Sequence, residues 1–267
     1  MKFGKLPAKN DPRTLKLSRY LRALASAPSS ADWTAKVPSW GMMLNDLEGD
    51  CVFAGGGHAI QTWTAAQGLE RTLPDAQIQA YYEAWAGFRP GDPSTDQGCV
   101  EIDFLNKWKT FGYCGAILDG YADPDWNNLD HIRLSIALFG GVYIGVQISQ
   151  RELDQWRAGE PWTSTERGSE GHALWVPKYD GQWLYCVTWG TLQPMSPDFF
   201  TAHCDEAHTL RSPLFLDAQG EAASEIDLET WDADLTILQN TRHLQDKPFH
   251  LRHKDLTDLP TWSKSCN

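Results

Sequence analysis

The feature that most constrains the fold is the order of the hydrophobic patterns along the chain. Apolar residues first recur at helical spacing, which predicts helices over residues 50–67, 73–87, 99–112 and 129–140. The pattern then changes to strands over 141–149, 172–180 and 181–190, followed by a helix over 196–206. Asp180-Gly181 between the last two strands is a strong hairpin signal. Helices followed by strands predict an α+β fold with two lobes.

The same patterns divide the chain into three parts. Residues 1–36 are predicted to form a basic arm and linker, and residues 37–212 the domain, with a helical lobe over about 37–128 and a sheet-rich lobe over about 129–212. Residues 213–267 form a C-terminal extension with a weak pattern, whose last stretch is predicted to be a loose tail. Seven of the first 22 residues are Lys or Arg, against one acid. We expect this arm either to be solvated or to dock on an acidic surface of its own body or of a neighbouring subunit.

Charge and hydropathy exclude some classes of function. The net charge of −12 argues against nucleic acid as the main partner, because phosphate contacts need a basic surface. The first residues lack the apolar core of a signal peptide, and no apolar run reaches the ~18 residues of a membrane span. These patterns predict no membrane partner and a cytoplasmic location.

The cysteines and the late histidines do not indicate a metal site. The six cysteines are scattered without a CxxC pair, which favours reduced thiols and argues against structural zinc. Five histidines late in the chain match no ligand spacing and are expected on the surface or in packing roles: His203, His208, His243, His250 and His253. We therefore expect no metal and no organic cofactor.

The stretch from Asn45 to His58, NDLEGDCVFAGGGH, contains the candidate nucleophile. Asp50 is a candidate N-cap for a helix that starts at Cys51, where the helix dipole favours a thiolate. Glycines at 55–57 each weaken that helix by roughly 0.5–1 kcal/mol, which indicates close approach of other chain segments. Cys51 is a candidate nucleophile, and a buried structural cysteine is the alternative.

A nucleophilic cysteine needs a base. His58 lies seven residues along the same helix, about 10 Å away at ~1.5 Å per residue, and is predicted to be a core histidine. His172 opens a strand of the second lobe after the glycine-rich ERGSEGH and is the better candidate.

An ordered series of motifs over about residues 40–195 resembles the papain-like cysteine peptidases. The series comprises Asn45 six residues before Cys51, the helix LPDAQIQAYY, TDQG with the helix after it, ALFGGVYIGVQI, His172-Ala173 with Tyr179, and Val187-Thr188-Trp189-Gly190 where the family has Asn-Ser-Trp-Gly. More narrowly, NDxxGDC with the KLPA…DPRT opening is similar to little-characterised papain-like proteins of bacterial and phage genomes.

The resemblance implies a papain-like two-lobed fold with acyl-transfer chemistry on a peptide or amide. Cys51 would be the nucleophile, His172 its acid–base partner and Asn45 an oxyanion donor. Gly98 and Trp189 would line the substrate cleft. The segment before Cys51 is too short for the family's full propeptide domain.

One motif departs from the family pattern. The asparagine that orients the imidazole aligns with Val187, which has no hydrogen-bonding side chain, and Thr188 is expected on the opposite face of the strand. Either a backbone carbonyl, Asp180 or Asp205 orients His172, or the site is slow or idle. The alternative to a peptidase or amidase is an idle papain-fold protein that binds a partner or forms part of a phage virion, with homo-oligomer or virion assembly through the basic arm.

Overall fold

The computed structural model describes residues 1–22, 26–215 and 226–242, the last five of these by their backbone alone. The main helices are α1 (Cys51–Ala66), α2 (Asp75–Ala86), α3 (Glu101–Phe111), α4 (Leu129–Phe139), α5 (Gln150–Ala158), α6 (Pro197–His203) and α7 (Leu228–Arg242). The strands are β1 (Leu15–Lys16), β2 (Ala31–Asp32), β3 (Gly120–Asp123), β4 (Val142–Ile148), β5 (Glu170–Tyr179), β6 (Leu184–Thr188), β7 (Thr191–Met195) and β8 (Cys204–Arg211). The predicted α+β fold, with a helical first lobe and a sheet-rich second lobe, is confirmed.

Helix α1 is the central helix of the molecule. Its residues from Cys51 to Ala65 are all buried, as expected for a helix that is apolar or small on every face. A Cβ at Gly55 would lie 2.6 Å from the Tyr143 ring, and one at Gly56 would lie 2.7 Å from the Phe104 ring. The glycines therefore let two aromatic side chains pack directly on the helix backbone.

The strands form one sheet in the order β1-β3-β8-β4-β5-β6-β7, with β2 pairing to β5 beside this path. Strands β4 and β5 are antiparallel, with Val146 opposite His172. The predicted hairpin between β5 and β6 is present, because Asp180 Oδ1 accepts hydrogen bonds from the backbone N–H groups of Gln182 and Trp183.

Some elements differ from the sequence prediction. The helix predicted over 196–206 ends at His203, and Cys204 already begins β8. Strands β3 and β7 and helix α5 were not predicted at all. Helix α5 starts with a capping box between Ser149 and Glu152, a local signal, and β7 pairs with the preceding strand β6, whereas β3 and β8 are defined by pairing with strands distant in sequence.

Three apolar cores hold the elements together. The first lies between the helical lobe and one sheet face around Trp63, Trp108 and Trp175, and the second lies on the other sheet face around Trp162 and Leu174.

The third core joins the two ends of the described chain. Here Tyr20 of the arm stacks on Trp231 of α7 with ring centroids 4.9 Å apart. The domain boundaries at 36 and 212 stay predictions, and the predicted tail lies outside the described residues. Among the described residues, no helix combines the length and the hydropathy needed to cross a bilayer.

Candidate active site

Cys51 is the first residue of α1 and is almost fully buried. Burial raises the pKa of its thiol to about 12, and the backbone amides of Ala173 and Gly4 oppose this by lowering the pKa. Ala173 follows His172 on β5, so the strand that carries His172 lies directly beside the Cys51 sulfur. The backbone beside His172 therefore contacts the thiol, and the pairing of the Cys51 and His172 side chains stays a prediction.

His172 is buried and held on two sides. Its Nε2 lies 2.8 Å from Thr188 Oγ1, and its ring stacks on Trp189 at 4.7 Å with an interplanar angle of 19°. Its Nδ1 has no hydrogen-bond partner within the described residues. Burial lowers the pKa of His172 to about 3, and nearby His58 adds to this, so the imidazole is neutral in this state.

The expectation that Thr188 points away from His172 is wrong. Strand alternation is obeyed, but His172 and Thr188 share one sheet face, while Ala173 and Val187 share the other and pack into the first core with Trp175. The Thr188 hydroxyl, and not the side chain at position 187, therefore contacts the imidazole. Asp180 and Asp205 are engaged elsewhere, with Tyr185 and with Gln147 respectively.

Asn45 lies at the start of α1 beside Asp50. Its Nδ2 donates to Asp50 Oδ1 at 3.2 Å, which leaves the second N–H of that amide for another acceptor. Asp50 stands at the N-cap position, but its side chain makes no capping bond to the helix, so the predicted cap is wrong in this detail. Burial raises the pKa of Asp50 well above its ordinary value, which favours the protonated acid.

The N-terminal arm runs through the cleft over this site. Lys5 N donates to Gly171 O at 3.1 Å, Cys99 N donates to Gly4 O at 2.8 Å, and Leu6 N donates to Cys99 O at 3.0 Å. Residue 5 pairs with Cys99 in the parallel sense. A Cβ at Gly98 would overlap the Gly4 carbonyl, so the missing side chain at 98 makes room for this extended segment.

Phe3 completes the cover over His172. Its ring meets His172 edge-on at 5.7 Å and Trp189 at 5.9 Å. Trp189 has φ 44°, in the left-handed region that few bulky residues adopt, and is itself buried. The arm and Trp189 therefore exclude water from both faces of the imidazole.

The basic side chains of the arm pair with acids of the same chain. The pairs are Lys2–Asp96 at 3.0 Å, Lys9–Asp103 at 2.8 Å, Lys16–Asp123 at 2.7 Å and Arg19–Asp234 at 2.9 Å. Of the expected arrangements for the arm, these contacts correspond to docking on its own body. Assembly with another subunit through the arm stays a prediction.

A buried ionic cluster beside the cleft was missed by the sequence analysis. The fully buried Lys5 side chain places Nζ 3.0 Å from Asp205 Oδ1 and 2.8 Å from Glu206 Oε1. His208 Nδ1 lies 2.8 Å from Asp123 Oδ1, and its Nε2 lies 3.8 Å from Glu101 Oε2. No local pattern marks these residues, because they come from four separate segments of the chain.

Opposing effects set the protonation of this cluster. Burial acts to lower the pKa of His208, but hydrogen bonds to Asp123 and Glu206 and the charges of Asp123 and Glu101 outweigh it and raise the pKa to about 10. Burial raises the pKa of Glu101 well above its ordinary value, and the charge of Glu206 adds to this. Lys5 stays protonated, because the surrounding carboxylates outweigh its desolvation and raise its pKa.

Within the described residues, one group could hold a metal ion by the proximity of its ligand atoms. The candidate ligand atoms of Glu101, Glu206 and His208 lie within 4.8 Å of one another. The Lys5 ammonium already supplies positive charge at Glu206. Of the late histidines, His203 is buried at the end of α6 with Nδ1 2.6 Å from Gln147 O. His243, His250 and His253 lie outside the described residues.

Comparison with known proteins shows which fold the chain has. No family model matches the chain, and no curated protein matches its sequence. Among solved structures, it is similar to xylellain, a cysteine protease from Xylella fastidiosa, with a TM-score of 0.58 and 14% identity over 78% of this chain and 95% of that one. It is also similar to digestive procathepsin L 3 of the Tenebrio molitor larval midgut, with a TM-score of 0.54 and 14% identity over 76% of this chain and 75% of that one.

The fold is that of the papain-like cysteine proteases. At such low identity the likeness establishes the papain-like fold and leaves the chemistry to this chain's own residues. In this papain-like fold, Cys51 on the central helix faces the strand of His172, and the arm lies in the cleft between the lobes.

Proposed function

We propose that the chain is a cysteine peptidase or amidase in which Cys51 and His172 carry out acyl transfer. The observation that carries the proposal is the contact between the Cys51 thiol and the Ala173 amide, with His172 next in sequence and its Nε2 bonded to Thr188. A hydroxyl that accepts the Nε2–H leaves Nδ1 unprotonated and able to take a proton.

The reaction balances with these groups and one water. His172 Nδ1 takes the thiol proton, and the Cys51 sulfur attacks the substrate carbonyl carbon. The Asn45 amide and the Cys51 backbone N–H donate to the oxyanion, a contribution that can reach about 3–4 kcal/mol per donor. The imidazolium protonates the leaving amine, and water then cleaves the thioester to release the acid and restore the thiol.

The closed arm keeps this pair inactive. Burial holds the Cys51 thiol and the His172 imidazole in their neutral forms, with pKa values of about 12 and about 3. Withdrawal of Phe3 and Gly4 would admit water, lower the pKa of the thiol and raise that of the imidazole. We therefore expect chemistry only after the arm leaves the cleft.

Thiol labelling tests the proposal. A Cβ at Gly4 would overlap the Gly49 backbone, so Gly4→Val should displace the arm. A Cβ at Gly181 meets no atom of the described residues within 4 Å, which makes Gly181→Ala the matched control. In Gly4→Val we expect iodoacetamide and E-64 to modify Cys51 rapidly near neutral pH, and His172→Ala to abolish this. Labelling of folded Gly4→Val no faster than an ordinary thiol would refute the proposal.

A second candidate function is a catalytically idle papain-fold protein. The filled cleft and the two neutral groups favour it. The likeness of NDxxGDC to bacterial and phage proteins supports a bacterial cytoplasmic or virion setting for either function, with the arm as the assembly element. Light scattering on a chain lacking residues 2–22 would test assembly, and an unchanged mass would count against it.

A further inference from the structure

We infer that the ionic cluster around Lys5 is a specificity pocket for a lysine or arginine side chain of the substrate, which Lys5 fills in the closed state. The pocket is formed by Gly145, Glu101, Asp205, Glu206 and His208. The inference rests on the proposed function, because it assigns the substrate class of the same cleft.

The Lys5 backbone occupies a substrate-like position. Its N–H donates to Gly171 O, one residue before His172, and the flanking residues bond to Cys99. An extended peptide in the cleft uses such backbone groups whatever its side chains are, so the side chain at this position is the part that can be selected. The side chain that enters here is a lysine.

The shape of the pocket depends on a missing side chain. A Cβ at Gly145 of β4 would overlap Lys5 Cε and would lie 2.8 Å from Asp205 Oδ1. Glycine at this position therefore opens a channel of the width of an alkyl chain from the cleft to the carboxylates. The channel takes up the whole Lys5 side chain, which has no solvent exposure.

The charges of the pocket belong to the body and not to the arm. Glu101 begins α3, while Asp205, Glu206 and His208 belong to β8, so these groups remain when the arm leaves. Within the described residues, neither oxygen of the fully buried Glu101 side chain accepts a hydrogen bond, and His208 Nε2 lies 3.8 Å from its Oε2. The Lys5 ammonium leaves the Glu101 carboxylate without a hydrogen bond. The guanidinium of an arginine has five N–H donors and could make more hydrogen bonds in the same pocket.

A purely structural role does not require these charges. A buried ion pair is often no more stable than apolar residues of the same volume, so methionine or leucine at position 5 would hold the arm as well. A buried carboxylate that accepts no hydrogen bond adds a desolvation cost. A buried ion pair at Lys5 and a buried carboxylate that accepts no hydrogen bond are both expected where the protein must accept a charged side chain from another molecule.

Peptide binding without turnover tests the pocket. The protein is full-length Gly4→Val with Cys51→Ala, and the probes are fluorescein-labelled hexapeptides that carry lysine, norleucine or glutamate at each position in turn. By anisotropy we expect one position at which lysine binds about 10- to 100-fold tighter than norleucine, from charged hydrogen bonds of about 1.5–3 kcal/mol. Glu206→Gln should reduce this ratio to a few-fold, whereas Asp103→Asn, on the surface, should not.

The outcomes separate the pocket from the catalytic proposal. Lysine-selective binding supports the pocket even if Cys51 proves unreactive in the labelling experiment. Equal binding of lysine and norleucine peptides at every position overturns the pocket even if Cys51 reacts rapidly.

A second measurement does not depend on displacing the arm. In Lys5→Ala, n-butylammonium should raise the melting temperature more than n-butanol does, because it replaces the lost ammonium. The wild type and Lys9→Ala, whose lysine makes an exposed pair with Asp103, should show no such difference. An equal effect of the two probes on Lys5→Ala would contradict the inference.

Discussion

Replacing Thr188 by valine tests what orients His172. Valine keeps the shape of threonine but removes the hydroxyl 2.8 Å from His172 Nε2, which leaves that buried nitrogen without its partner. The unmade hydrogen bond should cost about 1–3 kcal/mol of unfolding free energy. The larger effect is on reactivity, because the imidazole can then hold its proton on Nδ1, where it cannot accept the thiol proton; we expect a loss of roughly 10²- to 10⁴-fold.

The assay is the rate of Cys51 alkylation by iodoacetamide in the Gly4→Val background, with urea unfolding as a check that each variant folds. Thr188→Ser keeps the hydroxyl and should keep most of the rate. Thr201→Val is the matched control, because that hydroxyl bonds to Pro197 O at the surface.

The opposing hypothesis is that position 187 should carry the orienting group. Val187 is buried in the first core, so Val187→Asn should place an amide among apolar side chains at a cost of about 1–3 kcal/mol. It should not restore the alkylation rate of Thr188→Val. Full restoration by Val187→Asn, or an unchanged rate in Thr188→Val, would refute the role assigned to Thr188.

Three further predictions concern stability. The pKa of His208 is raised from 6.5 to about 10 in the folded chain. The contribution of the protonated imidazole to the free energy of unfolding is therefore complete below about pH 6.5 and is lost as the pH rises through 10. The resulting fall in melting temperature should be absent in His208→Gln, which cannot be protonated beside Asp123. The pKa of Asp50 is raised, so its protonated form stabilises the fold at low pH, and this stabilisation is lost as the pH rises. Asp50→Asn should therefore raise the melting temperature at pH 8 more than at pH 4. An equal change in melting temperature at the two pH values would contradict the protonated state assigned to Asp50. Trp231→Ala should lower the free energy of unfolding by about 3–5 kcal/mol, measured by denaturant, because Trp231 is fully buried against Tyr20. A decrease below about 1 kcal/mol would show that α7 is not part of the folded body.

Local patterns predicted the elements that depend on local interactions. Helices α1 to α4 carry their periodicity and stop signals in their own residues, such as the left-handed Gly87 and Gly140 that end α2 and α4. Strand β8 follows α6 without a break, and its first residues, 204–206, were predicted as the end of that helix. Its strand geometry comes from pairing with β3 and β4, which no window of sequence contains.

In the candidate site, too, local motifs could be predicted from the sequence, whereas contacts between distant segments could not. Cys51 and His172 could be proposed because each lies in a recognisable motif, and the order of the motifs implies their pairing, which stays a prediction. The Thr188 contact was missed because alternation along β6 does not tell which of its two faces meets His172; that depends on how β6 pairs with β5. Lys5 was one basic residue among seven in a charged arm, and only the folded chain places its ammonium beside Asp205 and Glu206.

The Lys5 pocket and the closed cleft are consequences of one arrangement. Lys5 and a basic substrate side chain need the same carboxylates, so the two cannot bind together, and the apparent affinity for substrate is the intrinsic affinity reduced by the fraction of open chains. A neutral peptide must displace the arm without replacing the Lys5 ion pairs, which leaves Asp205 and Glu206 without the Lys5 ammonium. A basic peptide restores those pairs as the arm leaves. The arm would therefore strengthen the discrimination of the pocket, and Lys5→Met should weaken the preference for basic peptides less than Glu206→Gln does.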